Sequence, residues 1–350
     1  FLQYVYYLPY ARCAYPIHPV LKHFSMGTAT PLFTTLVPVY KTDFIEDILQ
    51  CLQAQTSQNF KVIFSDDSPT QDLADIIDEW QAHEAPSFAI TVIQGPRIGP
   101  VSNCHHLLHA WGNDTPYMHF LFDDDLIFPD FYAAHELAYA QTQADACLSA
   151  RIIVSEAKAP LFSPALPDFI TGNPQRVTLL NRQACVDTIL PFCNNWLGEL
   201  SFATFTSQAI TNANKGRLQQ IPYYGLNDLG LFMEILSTHS VSYINSNLGA
   251  FRKNRTQTSQ DAHSKVFQST IISWASIIFD AHSKGWLSTE QTVQGLKKTR
   301  EMIQSMAKGN AVFAPILSSL ADLEDIETAK NAFHQNWRLL LASNPDALNA

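Results

Sequence analysis

Apolar and polar positions along the first half of the chain switch repeatedly between two patterns. "PLFTTLVPVY" (Pro31 to Tyr40) is a continuous β-rich apolar run, which predicts a buried strand. "TDFIEDILQCLQAQ" follows with Ile45, Ile48, Leu49 and Leu52 at helical spacing, and Asp43 with Glu46 reads as a capping-box pair. The scheme repeats. Phe60 to Phe64 predicts a second strand, "LADIIDEWQAH" an amphipathic helix, "FAITVIQ" a third strand, "NCHHLLHAW" a third helix and Tyr117 to Phe122 a fourth strand. Such alternation predicts an α/β fold with a mostly parallel sheet flanked by helices, in which ligands bind at the carboxyl ends of the strands.

The second half is less regular. Residues 145 to 260 mix short apolar runs with loops rich in Pro and Asn, and "DLGLFMEIL" (Asp228 to Leu236) predicts a helix. From about Asp261 onward the period is helical, in "SKVFQSTIISWASIIFDAH", in "TEQTVQGLKKTREMIQSMA" and after Asn310. The expected organisation is an extension over residues 1–30, a sheet domain over 31–260 divided near residue 145, and a helical region over 261–350. The apolar faces of that region, with Ile271, Ile272, Trp274 and Ile278, read as core or subunit contact rather than as a membrane span.

Composition narrows the function classes. The chain has 350 residues, 46% hydrophobic and 15% charged, which is the profile of a compact folded protein. A formal charge of −10 disfavours an extended grip on nucleic acid or on an anionic membrane, and favours a small ligand bound with a cation. The six cysteines are scattered without a CxxC pair, which points to reduced thiols and a cytoplasmic setting. No apolar run reaches the roughly 20 residues that span a bilayer. The aromatic start "FLQYVYYLPYARCAYP" is broken by Pro9 and Arg12 and reads as neither signal peptide nor anchor, although it leaves room for a pairing or membrane-touching patch.

Polar residues gather where the predicted strands end. Tyr40 ends the first, Asp66 and Asp67 the second, Arg97 follows the third, and Asp123, Asp124 and Asp125 end the fourth. Adjacent carboxylates repel and are costly to desolvate, so three of them between apolar flanks call for a cation. Oxygen ligands suit Mg2+ or Mn2+, held by one or two carboxylates together with substrate phosphates. Converging strand ends of this kind outline a nucleotide site; a solvated turn or helix cap before Pro129 is the plainer alternative.

The motifs, taken in order, resemble family 2 inverting glycosyltransferases with the GT-A (Rossmann-like) fold, over roughly residues 31 to 260. "LVPVYK" resembles the family's opening strand, "FSDDSPTQD" its second strand with an acidic pair, and "GPRIGPVSNCHHLLHA" the loop and helix beneath the donor diphosphate. "FLFDDDLIFPDF" resembles its DxD motif, "YYGLNDLGLFMEIL" the motif holding the catalytic base, and "GAFRKNRTQTS" the later segment with an Arg and usually a His. Three departures stand out. Ser102 rather than a basic residue precedes Asn103, Asn227 stands where a Glu would pair with Asp228, and Asn254 stands where the His is expected.

The resemblance implies a metal-dependent transferase moving a sugar from a nucleotide-sugar, most simply a UDP-sugar, to a saccharide or lipid-linked saccharide hydroxyl in bacterial surface polysaccharide synthesis. It implies Asp125 as metal ligand, with Asp123 on the sugar or ribose and able to touch the metal, and Asp124 as a supporting bond. Tyr40, Asp66, Asp67, Arg97, Asn103 and Arg252 complete the donor site, Asp67 or Asp66 accepting from a uracil-type edge and Tyr40 stacking on the base. Asp228 is the candidate general base at a helix start, Glu199 its reserve, and Trp196 a platform for the acceptor sugar. Each has a plainer alternative: helix capping for Asp66, Asp67 and Asp228, and an ordinary strand-end ring for Tyr40. His105, His106 and His109 read as solvated or structural, and Lys253, Arg255, Lys297, Lys298 and Arg300 as a solvated face. Peripheral membrane association at the inner face and a homo-oligomer fit this picture. A sugar-nucleotide nucleotidyltransferase is the first rival, weakened because "VPVYKTD" has no glycine; a non-catalytic carbohydrate-binding protein is the second.

Overall fold

The computed structural model describes residues 30–215, 225–254 and 264–342. The expected extension up to residue 29 and Arg255 therefore lie outside the described residues. In chain order the elements are β1 (Phe33–Val39), α1 (Ile45–Gln53), β2 (Phe60–Asp66), α2 (Leu73–Glu84), β3 (Ile90–Gln94), α3 (Pro100–Trp111), β4 (Tyr117–Phe120), β5 (Leu126–Ile127) and α4 (Phe131–Thr142). Then come β6 (Ala146–Ser155), β7 (Pro160–Phe162), α5 (Asp168–Thr171), β8 (Val177–Leu179), α6 (Arg182–Ile189), β9 (Ala203–Thr206), α7 (Ser207–Lys215), α8 (Asn227–Thr238) and β10 (Val241–Lys253). Helices α9 (Lys265–Ser283), α10 (Thr289–Ala307), α11 (Ala314–Ser319) and α12 (Ile326–Ala342) follow.

The strands form one sheet ordered β3-β2-β1-β4-β9-β6-β10-β5, with β7 on β6 and β8 on β10. Strands β3, β2, β1 and β4 are mutually parallel. Strand β9 is antiparallel to both β4 and β6. Two reversals restore the direction, so β6 and its parallel partner β10 run the same way as β1 to β4. Six strands thus deliver their carboxyl ends to one edge, the mixed but mostly parallel arrangement that the alternating pattern predicts. All seven residues of β1 are buried, as expected for a central strand covered on both faces.

Pro38 shows how that edge opens. The Leu121 amide donates to the Leu36 carbonyl, so Pro38, two residues on, faces the same neighbour. Its missing N–H costs nothing there, because the β1–β4 ladder has ended at Leu36↔Phe120 while β1–β2 runs on to Val39↔Asp66. The chain leaves the sheet at this point and carries the acidic triplet with it.

Helices cover both faces. On one, Ile45, Ile48, Ile77, Phe131 and Tyr132 pack on Val37 and Phe64. On the other, Leu107, Leu229, Phe232, Ile278 and Trp337 join Leu36, Phe120 and Tyr243 in one continuous core. The C-terminal helices are part of that core: Ile272, Trp274 and Ile278 are buried and Ile271 packs against it. Burying each such side chain contributes about 1.5–3 kcal/mol. Among the described residues no helix is long and apolar enough to cross a membrane.

Two local expectations are corrected. Asp43 does not cap α1: its N-cap is Phe44, without a side-chain cap, and Glu46 accepts from Gln50 instead. The helix starts late because the Ile45 amide bonds Thr42 O in a turn, with the Phe44 ring held beneath the Arg252 guanidinium at 4.2 Å. The second half also contains two long strands, β6 of 10 residues and β10 of 13, rather than only short ones. Buried Ser149 and Arg151 interrupt the apolar run of β6 and hide its length.

Candidate functional site

The acidic triplet forms a turn between β4 and β5, not a strand end. Each carboxylate is held by a different part of the chain. Asp123 Oδ2 accepts from the backbone amides of Tyr40 at 2.9 Å and Lys41 at 3.0 Å, tying the turn to the end of β1. Asp124 Oδ2 accepts from Asn254 Nδ2 at 3.0 Å. The side chain standing where a His was expected thus does reach the acidic turn. Asp125, only 1% exposed, accepts from Ser201 Oγ at 2.6 Å and from the Arg252 amide at 3.4 Å.

Burial, reinforced by the Asp124 charge, pushes Asp123 up to about 7 against the pull of the Lys41 and Tyr40 amides. The same two causes raise Asp125 well above the usual carboxylate range, Ser201 opposing them. A cluster that resists ionisation this strongly is a cluster that gains from a cation.

Ser201 is held in turn. The Phe122 amide donates to its hydroxyl at 3.3 Å, and its carbonyl accepts from His119 Nε2 at 2.9 Å. Since a carbonyl only accepts, His119 carries its proton on Nε2, and Nδ1 accepts from Tyr132 Oη at 3.1 Å. Burial depresses the His119 pKa to about 4, so the ring is neutral and the bond to Ser201 persists at neutral pH.

The end of β2 supplies the second acid pair. Asp66 Oδ1 accepts from the Ser68 amide and hydroxyl, the local capping that its turn composition suggests. Asp67 Oδ1 accepts from the Arg97 amide at 2.6 Å, closing the β3–α3 loop over it. Gly95 permits this approach, since a Cβ there would sit 2.5 Å from Asp67 Oδ1. Arg97 takes φ +58° and an exposed position beside Asp67. Tyr40 is 45% exposed at the end of β1. Asn103, buried on α3, donates to Ser65 O at 3.4 Å while its Oδ1 has no hydrogen-bond partner.

Asp228 lies in the first turn of α8, where burial first and the Glu199 charge second push it up to about 7, Arg151 opposing. Glu199 is gripped by Arg151 in a bidentate pair of 2.6 and 3.1 Å, and Arg151 Nη1 donates to Trp196 O at 3.1 Å. The charges of Asp67 and Asp228 both reach Cys104 on α3, and that of Glu199 reaches Asp125. Sequence elements 160 residues apart therefore meet at one edge.

Two expected site residues face elsewhere. Trp196 is 1% exposed, edge-on to Phe169 and Tyr243, with its Nε1 donating to Thr188. It offers no face to an acceptor sugar, because the loop it occupies folds into the core. Arg252, also 1% exposed, spends its guanidinium on Asp47 Oδ2 at 2.6 Å, Asp124 O at 3.0 Å and Glu156 O at 2.9 Å. It braces the acidic turn from behind. Sequence reasoning missed Arg151, Ser201 and Asp47. A lone cation inside the apolar run "ACLSARIIVS" was the available signal for a buried partner; Ser201 carried none.

Among the described residues no three His, Cys, Asp or Glu side chains converge to hold a metal alone, His105, His106 and His109 included. A cation here would draw on one or two carboxylates of the turn plus ligands from a substrate, as Mg2+ and Mn2+ commonly do.

A mostly parallel sheet whose carboxyl edge gathers acids from β2, from the turn after β4 and from α8 is a GT-A glycosyltransferase fold. Residues 34–196 match the family model "Glycosyl transferase family 2". Among solved structures it is similar to S. aureus TarS 1-349 in complex with UDP-GlcNAc, with TM-score 0.52 and 14% identity over 87% of this chain and 91% of that one. It is also similar to the mannosyltransferase PcManGT from Pyrobaculum calidifontis in complex with GDP-Man and Mn2+, with TM-score 0.50 and 14% identity over 91% and 89%. A comparison with curated proteins finds no match.

Proposed function

We propose that the protein is a metal-dependent, inverting glycosyltransferase that moves a sugar from a nucleotide-sugar, with UDP as the leaving group, to a saccharide hydroxyl. The observation that carries this reading is the acidic turn, anchored by Asp123 to the end of β1 and by the buried Asp125 to Ser201. Burial and the Asp124 charge hold Asp123 and Asp125 back from ionising, and a cation would relieve both. The donor set fits Mn2+ or Mg2+, and Asp125 and Asp123 are the residues that would hold it. When bound, such an ion supplies positive charge to the diphosphate as it leaves.

The remaining work falls to the chain. Asp67 accepts from the base and Tyr40 stacks on it, while Asn103 Oδ1 takes a donor from the same ligand. Arg97, exposed beside Asp67, is the cation nearest the phosphates. Asp228, poised near neutrality, accepts the proton of the acceptor hydroxyl as its oxygen attacks the anomeric carbon. A single in-line displacement inverts that centre. The context we favour is assembly of a bacterial surface polysaccharide at the inner face of the membrane.

Asp228→Asn tests the reading. Turnover of a UDP-sugar with a saccharide acceptor should fall about a hundredfold to ten-thousandfold, with UDP affinity unchanged. The product anomer, read by NMR, should be opposite to that of the donor. Unchanged turnover would move the base elsewhere, and a retained anomer would contradict direct displacement.

A further inference from the structure

Arg151 has a second set of neighbours. It lines a cavity of about 410 Å³ together with Tyr243, Asn245, Ser246, Asn247 and Leu166, none of which the sequence motifs single out. The cavity lies at an irregularity in β10. Pairing with β6 steps from Ile244↔Ser149 directly to Asn247↔Ala150, so Asn245 and Ser246 have no β6 partner. Such bulges re-aim side chains and recur beside active sites. This one is braced: the Asn245 amide donates to Arg176 O at 2.8 Å, Asn245 Nδ2 to Ile170 O at 3.3 Å, and Arg176 Nη2 to Ser246 Oγ.

A separate observation points to a ligand. Tyr243 is fully buried, lines the cavity, and its hydroxyl has no hydrogen-bond partner. A polar group left in this state calls for a partner that the fold does not supply. Charge selects the partner. Three of the five N–H groups of Arg151 donate to Glu199 and Trp196 O, and the Glu199 carboxylate neutralises its charge. With that charge already paired, the cavity holds no net positive charge to attract an anion. Amide and hydroxyl groups beside the apolar surface of Leu166 instead match a ring bearing several hydroxyls and a C–H face. The volume suits about one or two such rings.

We propose that this cavity binds a neutral pyranose unit of the acceptor saccharide, with Tyr243 and Asn247 contacting its hydroxyls and Arg151 linking the filled cavity to Glu199 at the reaction edge. This rests on the transferase reading above, and its test separates the two. Saturation-transfer NMR on the full chain would use maltose and N,N′-diacetylchitobiose as probes, with UDP and Mn2+ in the same tube. One or both disaccharides should receive saturation. Asn247→Trp, which fills the cavity, should reduce that signal at least fivefold and Tyr243→Phe about threefold, while the UDP signal stays constant and reports an intact fold. UDP binding without any disaccharide signal, or a disaccharide signal that Asn247→Trp leaves unchanged, would overturn the cavity assignment and spare the transferase reading. A disaccharide signal sensitive to Asn247→Trp without UDP binding would keep the cavity and remove the UDP donor. Silence from both ligands would overturn both.

Discussion

At the scale of single residues, the acidic turn works because its neighbours are fixed. Ser201 donates to a carboxylate that is almost fully buried, so Ser201→Ala leaves Asp125 short of its strongest partner. The expected cost is about 1–3 kcal/mol in urea denaturation, together with a weaker Mn2+ effect on UDP binding. Arg252→Met makes a sharper distinction. If Arg252 braces the turn, as its bonds to Asp47, Asp124 O and Glu156 O indicate, stability should fall by about 3 kcal/mol, the low end for a broken buried pair because Asp47 keeps some exposure. Unchanged stability with weakened UDP binding would instead put the guanidinium on the diphosphate. The sequence made the acids legible because charge in an apolar frame is conspicuous. It did not show which way Arg252 or Trp196 points, since both orientations satisfy the same local pattern, and the choice is made by Asp47 and Phe169 from distant parts of the chain.

At the scale of elements, α8 and β1 carry the chemistry to the edge. Burial and Glu199 raise the Asp228 pKa to about 7 in the folded chain, above its value of 3.8 when exposed. Between these values the folded state binds more protons than the unfolded one, so stability falls as pH rises through that window. Asp228→Asn removes the effect. The variant should therefore melt higher than the wild type at pH 8 and equal to it at pH 4, and thermal melts at the two pH values check this. Turnover of the wild type should rise with pH up to about 7 and flatten above it, as the base loses its proton. Element positions followed well from periodicity, with β1, α2, α8, α9 and α10 within a few residues of the pattern. The start of α1 did not, because a tertiary contact between Phe44 and Arg252 overrode the capping signal of Asp43.

For the whole molecule, alternating strand and helix patterns foretold the parallel half of the sheet, and helical periods foretold the C-terminal region. The insertion of β9 between β4 and β6 was not legible, since a four-residue strand of Ala, Thr and Phe carries too little pattern to reveal its partners. Yet that insertion places Ser201 behind Asp125 and brings β6, with Arg151, to the reaction edge. The central claim is that this edge holds a divalent ion against the phosphates of a sugar nucleotide. It is tested most directly by thermal unfolding with UDP, alone and with Mn2+, for the wild type and for Asp125→Ala. The account predicts that UDP at a hundredfold excess over its dissociation constant stabilises the wild type by about 2.7 kcal/mol in the presence of Mn2+ and by much less without it. It further predicts that Asp125→Ala abolishes the Mn2+ dependence. Equal shifts with and without Mn2+, or a Mn2+ effect that survives in Asp125→Ala, would contradict it.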